Sequence, residues 1–310
     1  MSWTGSSHPR QATGRATDWG GLTMLHSAVM QLESLEARPL PPPNGYHVNA
    51  LLLTLLRSAN PALASSLHSD DGPKPYTTSV MRGQTRRNRE DADARSSRPA
   101  TLRLRFTFLD DEPFASLLDA VLRLSPEQTV ELGEGRYRCA LLATTPAQSP
   151  WARSATFESL LEGAPQDPVV SLRFMSLTTF RSGGRRNVLF PEPALTFGSL
   201  LSRWNAFSPV RLDACIYRNV FQRMQPVYYR LHTGAMGFGS YEELGFKGTC
   251  AYAMDRSEPQ DVRQGVHALA AFSLFGGVGA KTTMGMGQCR RISDAGAVPG
   301  GARSDAPQRG

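Results

Sequence analysis

Five glycines crowd the twelve residues from Gly276 to Gly287, and Lys281, Thr282 and Thr283 stand among them. Glycine has no Cβ and tolerates positive φ, so Gly277, Gly279, Gly285 and Gly287 would let backbone amides, an ammonium and two hydroxyls close on an anion. The run resembles a nucleotide phosphate loop in composition only. That loop needs glycine and lysine side by side, after a strand and opening a helix. Here Ala280 separates Gly279 from Lys281, a helical pattern comes before, and only a tail lies beyond. A nucleotide triphosphatase is excluded. What stays open is another anion-binding loop or a plain glycine-rich connection to a last strand.

Metal chemistry has no comparable signature. Cys139, Cys215, Cys250 and Cys289 are scattered, with no Cys-x-x-Cys and no nearby histidine pair, so neither a zinc site nor a disulfide framework is indicated. No cofactor is expected. His26, His232 and His267 fall inside strand or helix patterns and read as structural. Lys and Arg together number 34 against 27 acids, a net charge of +7, which suits a polyanion such as nucleic acid. Only three of the basic residues are lysine: Lys74, Lys247 and Lys281. The N-terminus lacks an apolar leader and no apolar run reaches spanning length, so a cytoplasmic protein without a membrane is expected.

Chemistry needs elements to hold it, and the chain of 310 residues supplies two sets. Residues 1–21 and 294–310 are polar, aperiodic and expected to be disordered tails. Arg82 to Pro99 reads as a mobile loop inside the first unit. In that unit, 22–150, Leu22–Leu35 reads as a strand and Val48, Leu51, Leu52, Leu55 and Leu56 share a helical face. Tyr76–Met81 is a short strand. Leu102, Leu104, Phe106 and Phe108 alternate with polar neighbours, a half-buried strand whose Arg103 and Arg105 face either RNA or solvent. A helix from Asp111 buries Phe114, Leu117, Leu118, Val121 and Leu122, and Tyr137–Thr144 closes the unit. The second unit, 151–293, repeats the order. It has strands at Val169–Phe180, Pro226–His232, Phe246–Met254 and Met284–Ile292, and a helix from Pro193 with Phe197, Leu200, Leu201, Trp204 and Phe207 inward. A further helix carries Val262, Val266 and Leu269 behind a Ser257/Gln260 capping box. Each unit therefore reads β-α-β-β-α-β, giving an α+β fold of two tandem ferredoxin-like (RRM-like) domains.

With the glycine run near its C-terminus, this tandem fold resembles the RAMP superfamily of CRISPR systems, and within it the repeat-RNA-processing endoribonucleases. Three segments carry the resemblance: Asn60 to His68 with Gly72-Pro73-Lys74-Pro75-Tyr76-Thr77-Thr78-Ser79; Leu172-Arg173-Phe174 through Phe180, with Phe190-Pro191 and Leu200 to Asn205; and Gly277 to Gly287. Together they span roughly residues 22 to 292.

The resemblance implies metal-independent cleavage of CRISPR precursor RNA within its repeats. The ribose 2′-hydroxyl attacks the adjacent phosphate, leaving a 2′,3′-cyclic phosphate and a 5′-hydroxyl. Such a reaction wants a base, an acid and a cation. By resemblance the proton carrier is His68, with Lys74 beside the phosphate. A tyrosine that some relatives place fifteen residues earlier is Leu53 here, and His47 is the substitute, although a histidine in a first helical turn also serves as a cap. For His68 the rival reading is a helix-end residue interacting with the dipole. RNA contacts are implied for the glycine segment, Lys281, Thr282 and Thr283, and for Arg185 and Arg186 after Ser182-Gly183-Gly184; of Arg290 and Arg291 only one can face RNA. The expected partners are repeat RNA and other subunits of an interference complex, with the protein itself a monomer or homodimer. The alternative is a RAMP subunit that holds crRNA as a scaffold and never cuts it.

Overall fold

The structure, a computed structural model, describes residues 23–36, 43–81, 101–125, 127–182 and 186–292. The two expected tails, the expected loop at 82–99 and Arg185 lie outside the described residues.

The first unit runs β1 (Met24–Ser34), α1 (Gly45–Ala59), α2 (Pro61–Ser69), β2 (Tyr76–Met81), β3 (Thr101–Phe108), α3 (Asp111–Leu122), β4 (Val130–Leu132) and β5 (Gly135–Ala143). Its strands lie in the order β2-β3-β1-β5-β4. Period-two alternation puts Leu104, Phe106 and Phe108 on one face of β3, and the register Met30↔Leu104 adds β1 to that face. Val48, Leu52 and Leu56 of α1 and Leu117 of α3 cover it, all fully buried. Asn60 breaks the first helical stretch in two. Its N–H ends α1 on the Leu56 carbonyl, its side chain accepts from Leu63 N to start α2, and Pro61 occupies the first turn of α2, where a missing N–H costs nothing.

The second unit runs β6 (Arg153–Thr156), α4 (Phe157–Glu162), β7 (Val169–Thr178), β8 (Phe180–Ser182), β9 (Arg186–Val188), α5 (Pro193–Phe207), α6 (Ala214–Arg223), β10 (Gln225–Gly237), β11 (Glu242–Ala253), α7 (Gln260–Gly276) and β12 (Cys289–Ile292). The order β10-β11-β7-β12 repeats the arrangement of the first sheet. Leu172, Phe174, Cys250 and Tyr252 meet Phe197, Trp204, Phe221, Val266 and Leu269 in its core. The fold is thus two ferredoxin-like units. Strand β6 pairs with Met24–Ser27 of β1, so the first sheet takes in chain as far as Thr156, while the next residue, Phe157, is buried in the second core.

Several local expectations need correction. The last strand begins at Cys289, because Thr282–Met284 form a 3-10 turn held by the loop's own hydrogen bonds. Helix α7 has Pro259 at its N-cap and no side-chain cap, since the Ser257 hydroxyl is drawn to Asp255. Leu122 is 83% exposed, at the frayed end of α3. Arg105 faces neither RNA nor solvent. It is buried, donating from Nε to Ser27 Oγ (2.9 Å), from Nη1 to Gln288 Oε1 (3.0 Å) and from Nη2 to the Leu274 carbonyl (2.6 Å). Burial, then the charge of Arg153, pushes its pKa down to about 9. Beside it the Thr107 hydroxyl donates to the Phe275 carbonyl (2.6 Å). The open face of the first sheet is therefore a polar joint gripping the end of α7 and the start of β12.

Candidate active site

His68 is the eighth residue of the nine-residue α2, in its last turn and on its exposed face. Among the described residues its ring has no hydrogen-bond partner. The chain leaves the helix through Asp70, whose Oδ1 accepts from Gly72 N (2.9 Å), and Lys74 then folds back. Lys74 Nζ donates to the Leu67 carbonyl (2.8 Å) and to the Asp70 carbonyl. Both carbonyls belong to the helix end, which leaves its last oxygens without internal donors. Lys74 thus pins the turn that carries His68. Two of its three N–H donors are spent on that task, leaving one. Tyr76, the nearest tyrosine along the chain, donates to Asn49 Oδ1 (3.0 Å), and burial pushes its pKa up to about 12. It is a neutral structural group.

His47 lies at the start of α1, where Asn44 and His47 form a capping box: His47 N donates to Asn44 Oδ1 (3.1 Å) and Nδ1 accepts from Asn44 N (3.4 Å). The ring is exposed and sits against Gly133 in the β4–β5 turn, where an added Cβ would be 3.1 Å from Nδ1. No hydrogen bond or ring contact joins His47 to His68 among the described residues.

The glycine segment is a wedge between the two units. Gly277, Gly279, Gly285 and Gly287 all have positive φ, and Lys281 (φ 56°) is the one non-glycine residue that does so among those described. The amides of Val278, Gly279, Ala280, Met284, Met286 and Gly287 donate inside the protein, to Gly287 O, Ser199 Oγ, Thr179 O, Lys281 O, Lys281 O and Leu177 O respectively. Most of the expected anion-facing amides are thus already committed. Thr283 O accepts from Thr78 Oγ1 (2.7 Å), tying the loop to β2. On the other side an added Cβ at Gly45 would stand 1.8 Å from Met284 O, so α1 begins with glycine because the loop passes directly over it. Thr282 is 3% exposed, its hydroxyl accepting from Arg203 Nη1 (3.0 Å), which leaves it no path to a phosphate in this arrangement. Thr283 and Gly285 are half-exposed.

Sequence reading gave no hint of what Lys281 does here. Its Nζ lies 3.0 Å from Glu243 Oε2, donates to the Tyr241 hydroxyl, and stands 4.3 Å and 4.7 Å from the ring centres of Tyr241 and Phe238. Tyr241 in turn bonds Tyr46 of α1 (3.0 Å). The lysine hydrogen bond draws the Tyr241 hydroxyl below its ordinary pKa, while the bond to Tyr241 pushes Tyr46 up. The backbone of Arg186 pairs with Ser182 in the β8–β9 hairpin. Among the described residues, no three His, Cys, Asp or Glu side chains converge as metal ligands would, and no helix is long and apolar enough to cross a membrane.

Two family descriptions match the chain: the Cas6 N-terminal domain over residues 24–162, and the CRISPR-associated endoribonuclease Cas6 over 172–289. Solved structures agree along most of the chain. A product complex of the Cas6 TTHB231 is 31% identical with a TM-score of 0.73, covering 86% of this chain and 100% of that one. A Thermus thermophilus structure of TTHB231 gives 28% and 0.69, covering 88% and 100%. A product complex of the Cas6 TTHA0078 gives 26% and 0.70, covering 87% and 100%. Comparison with curated proteins yields no match.

Proposed function

Since the chain belongs to the Cas6 family of CRISPR-associated endoribonucleases, we propose that it matures crRNA by cutting precursor RNA within its repeats, without a metal, and that His68 is the principal proton carrier. The observation that carries this reading is the pairing of a match to a Cas6 product complex over 86% of the chain with an exposed imidazole that has no hydrogen-bond partner among the described residues, on a turn braced by Lys74. The ribose 2′-oxygen loses its proton to a base and bonds to the neighbouring phosphorus. The P–O5′ bond breaks, and the 5′-oxygen takes a proton from an acid. The products are a 2′,3′-cyclic phosphate and a 5′-hydroxyl. Imidazole, which titrates near neutrality, suits either proton step. The remaining N–H of Lys74 supplies a cationic donor for the charge that builds on the phosphorane. His47 is the candidate for the second proton carrier, through Nε2, because Nδ1 faces its own helix cap. Thr283 and Gly285, both half-exposed, are loop candidates to meet RNA, with Arg186 a further candidate.

The scaffold alternative draws on one observation: two donors of Lys74 go to backbone carbonyls, a sufficient structural reason for a lysine there. The decisive experiment uses repeat RNA carrying 2′-deoxyribose just upstream of the scissile phosphate. Binding without cutting of this RNA, beside cleavage of the all-ribose form to a cyclic phosphate in EDTA, is expected. Cleavage of the deoxy substrate would overturn the mechanism, and tight binding with no cleavage of either would establish the scaffold.

A further inference from the structure

Helix α5 presents two polar side chains, Ser199 and Arg203, to the glycine wedge. Residues four apart share one helical face. Ser199 Oγ accepts from Gly279 N (3.0 Å), and Arg203 Nη1 donates to the Gly276 carbonyl and to Thr282 Oγ1 (3.0 Å). One face of α5 thus holds the wedge at three points: where it leaves α7, at its first bend and at its 3-10 turn. Gly276 is the last residue of α7, so Arg203 also sets a cation on carbonyls that the helix end leaves without internal donors. From Thr282 the linkage continues into the first unit. The next residue, Thr283, accepts through its carbonyl from Thr78 Oγ1 of β2 (2.7 Å). That strand begins at Tyr76, two residues after the Lys74 that braces the His68 turn.

Stability alone accounts poorly for a guanidinium at this place. Arg203 is half-buried, and burial pushes its pKa down to about 10, so it stays charged near neutral pH. No carboxylate forms an ion pair with it among the described residues. A cation desolvated without a counter-ion is costly, and an apolar side chain of similar volume is often as stable. What the guanidinium adds is direction. The two N–H bonds of Nη1 lie in one rigid plane and fix both acceptors at once, whereas a lysine ammonium rotates freely. The wedge has need of such a fixture: Lys281, between the held residues Gly279 and Thr282, has a φ of 56°. A side chain in that region persists only where its surroundings over-determine the backbone.

We infer that Arg203 is a positioning residue for RNA cleavage, setting Thr283 and Gly285 relative to the His68 turn through its hold on Thr282. The inference rests on the RNA-processing function proposed for this chain. It is tested on the full chain with Arg203→Met, Arg203→Lys, Thr282→Val and the double variant Arg203→Met/Thr282→Val. Single-turnover cleavage at saturating repeat RNA, affinity by anisotropy and thermal melting are measured, with rates taken well below the lowest melting temperature. Arg203→Met should slow the saturated step on the order of 10-fold or more, as misplacement of a substrate-positioning group does, while affinity stays near the wild-type value. Arg203→Lys keeps the cation on the helix end but not the rigid plane, so it should recover melting temperature and leave the rate low. Thr282→Val should slow the same step, and the double variant should lose less than the product of the two single losses, since both break one linkage. An unchanged saturated rate in folded Arg203→Met, or rate and melting temperature recovering in parallel in Arg203→Lys, would overturn the inference. Should Arg203→Met fail to fold, Thr282→Val carries the test, and a wild-type rate there would overturn it equally. A wild type that binds repeat RNA without cutting it would instead remove the nuclease function, and this inference with it.

Discussion

In the proposed mechanism His68 carries a proton and Lys74 both braces its turn and faces the phosphate. His68→Ala should cut the cleavage rate by about 10²–10⁴, the range for removal of one proton-transfer group, while repeat-RNA affinity measured by anisotropy stays unchanged. Lys74→Met should slow cleavage too, but it also strips the helix end of its cation, a cost of about 0.3–1 kcal/mol visible in denaturant melts. Lys281 was illegible as half of an ion pair, because Glu243 is remote in the chain and only the fold brings it within 3.0 Å. That pair gives a pH signature. Burial pushes the Glu243 carboxyl up, but hydrogen bonds from Lys281 and Asn187 and the charges of Lys281 and Arg181 outweigh it and hold the group below its ordinary value. The unfolded chain therefore binds this proton more tightly. The stability from Glu243 is complete above the unfolded carboxyl range and is lost as pH falls through the lowered folded value. Glu243→Gln should flatten this acid limb when melting temperature is followed against pH; two superimposable limbs would contradict the assignment.

At the scale of elements, hydrophobic period found the strands and helices of the two repeats because each buries one face, with β3 the clearest instance, and missed β4, β6, α4 and α6. What period cannot show is what covers the opposite face. Arg105 sits on the polar side of β3, where alternation predicts water or ligand, yet the end of α7 lies over it. Arg105→Met should leave Gln288 Oε1 and the Leu274 carbonyl without this donor, at about 1–3 kcal/mol for each buried group left unsatisfied, measured by denaturant unfolding. A change within experimental error would mean that water replaces the guanidinium. In the glycine run the structure shows close packing between units, a role that spacing alone did not reveal. Gly45→Ala is the direct check. Its Cβ would stand 1.8 Å from Met284 O, so the loop or α1 must shift, with an expected loss of about 1–3 kcal/mol.

Over the whole molecule, the tandem ferredoxin-like order was legible because the two units repeat it, whereas their joint was not. Arg105, Thr107, the Gly45–Met284 contact and the Tyr46–Tyr241–Lys281 chain all cross between units that the sequence reads as separate beads. The joint fixes α2 and the glycine wedge in one frame, which is what a substrate gripped at several points requires. The central claim is that this frame presents His68 to a repeat phosphate and that no metal takes part. The most direct measurement is single-turnover cleavage of repeat RNA by wild type and His68→Ala, both in EDTA. Full wild-type cleavage with the variant bound but inactive is the predicted result. Equal cleavage by both proteins, or a wild-type rate that returns only with divalent ions, would contradict it.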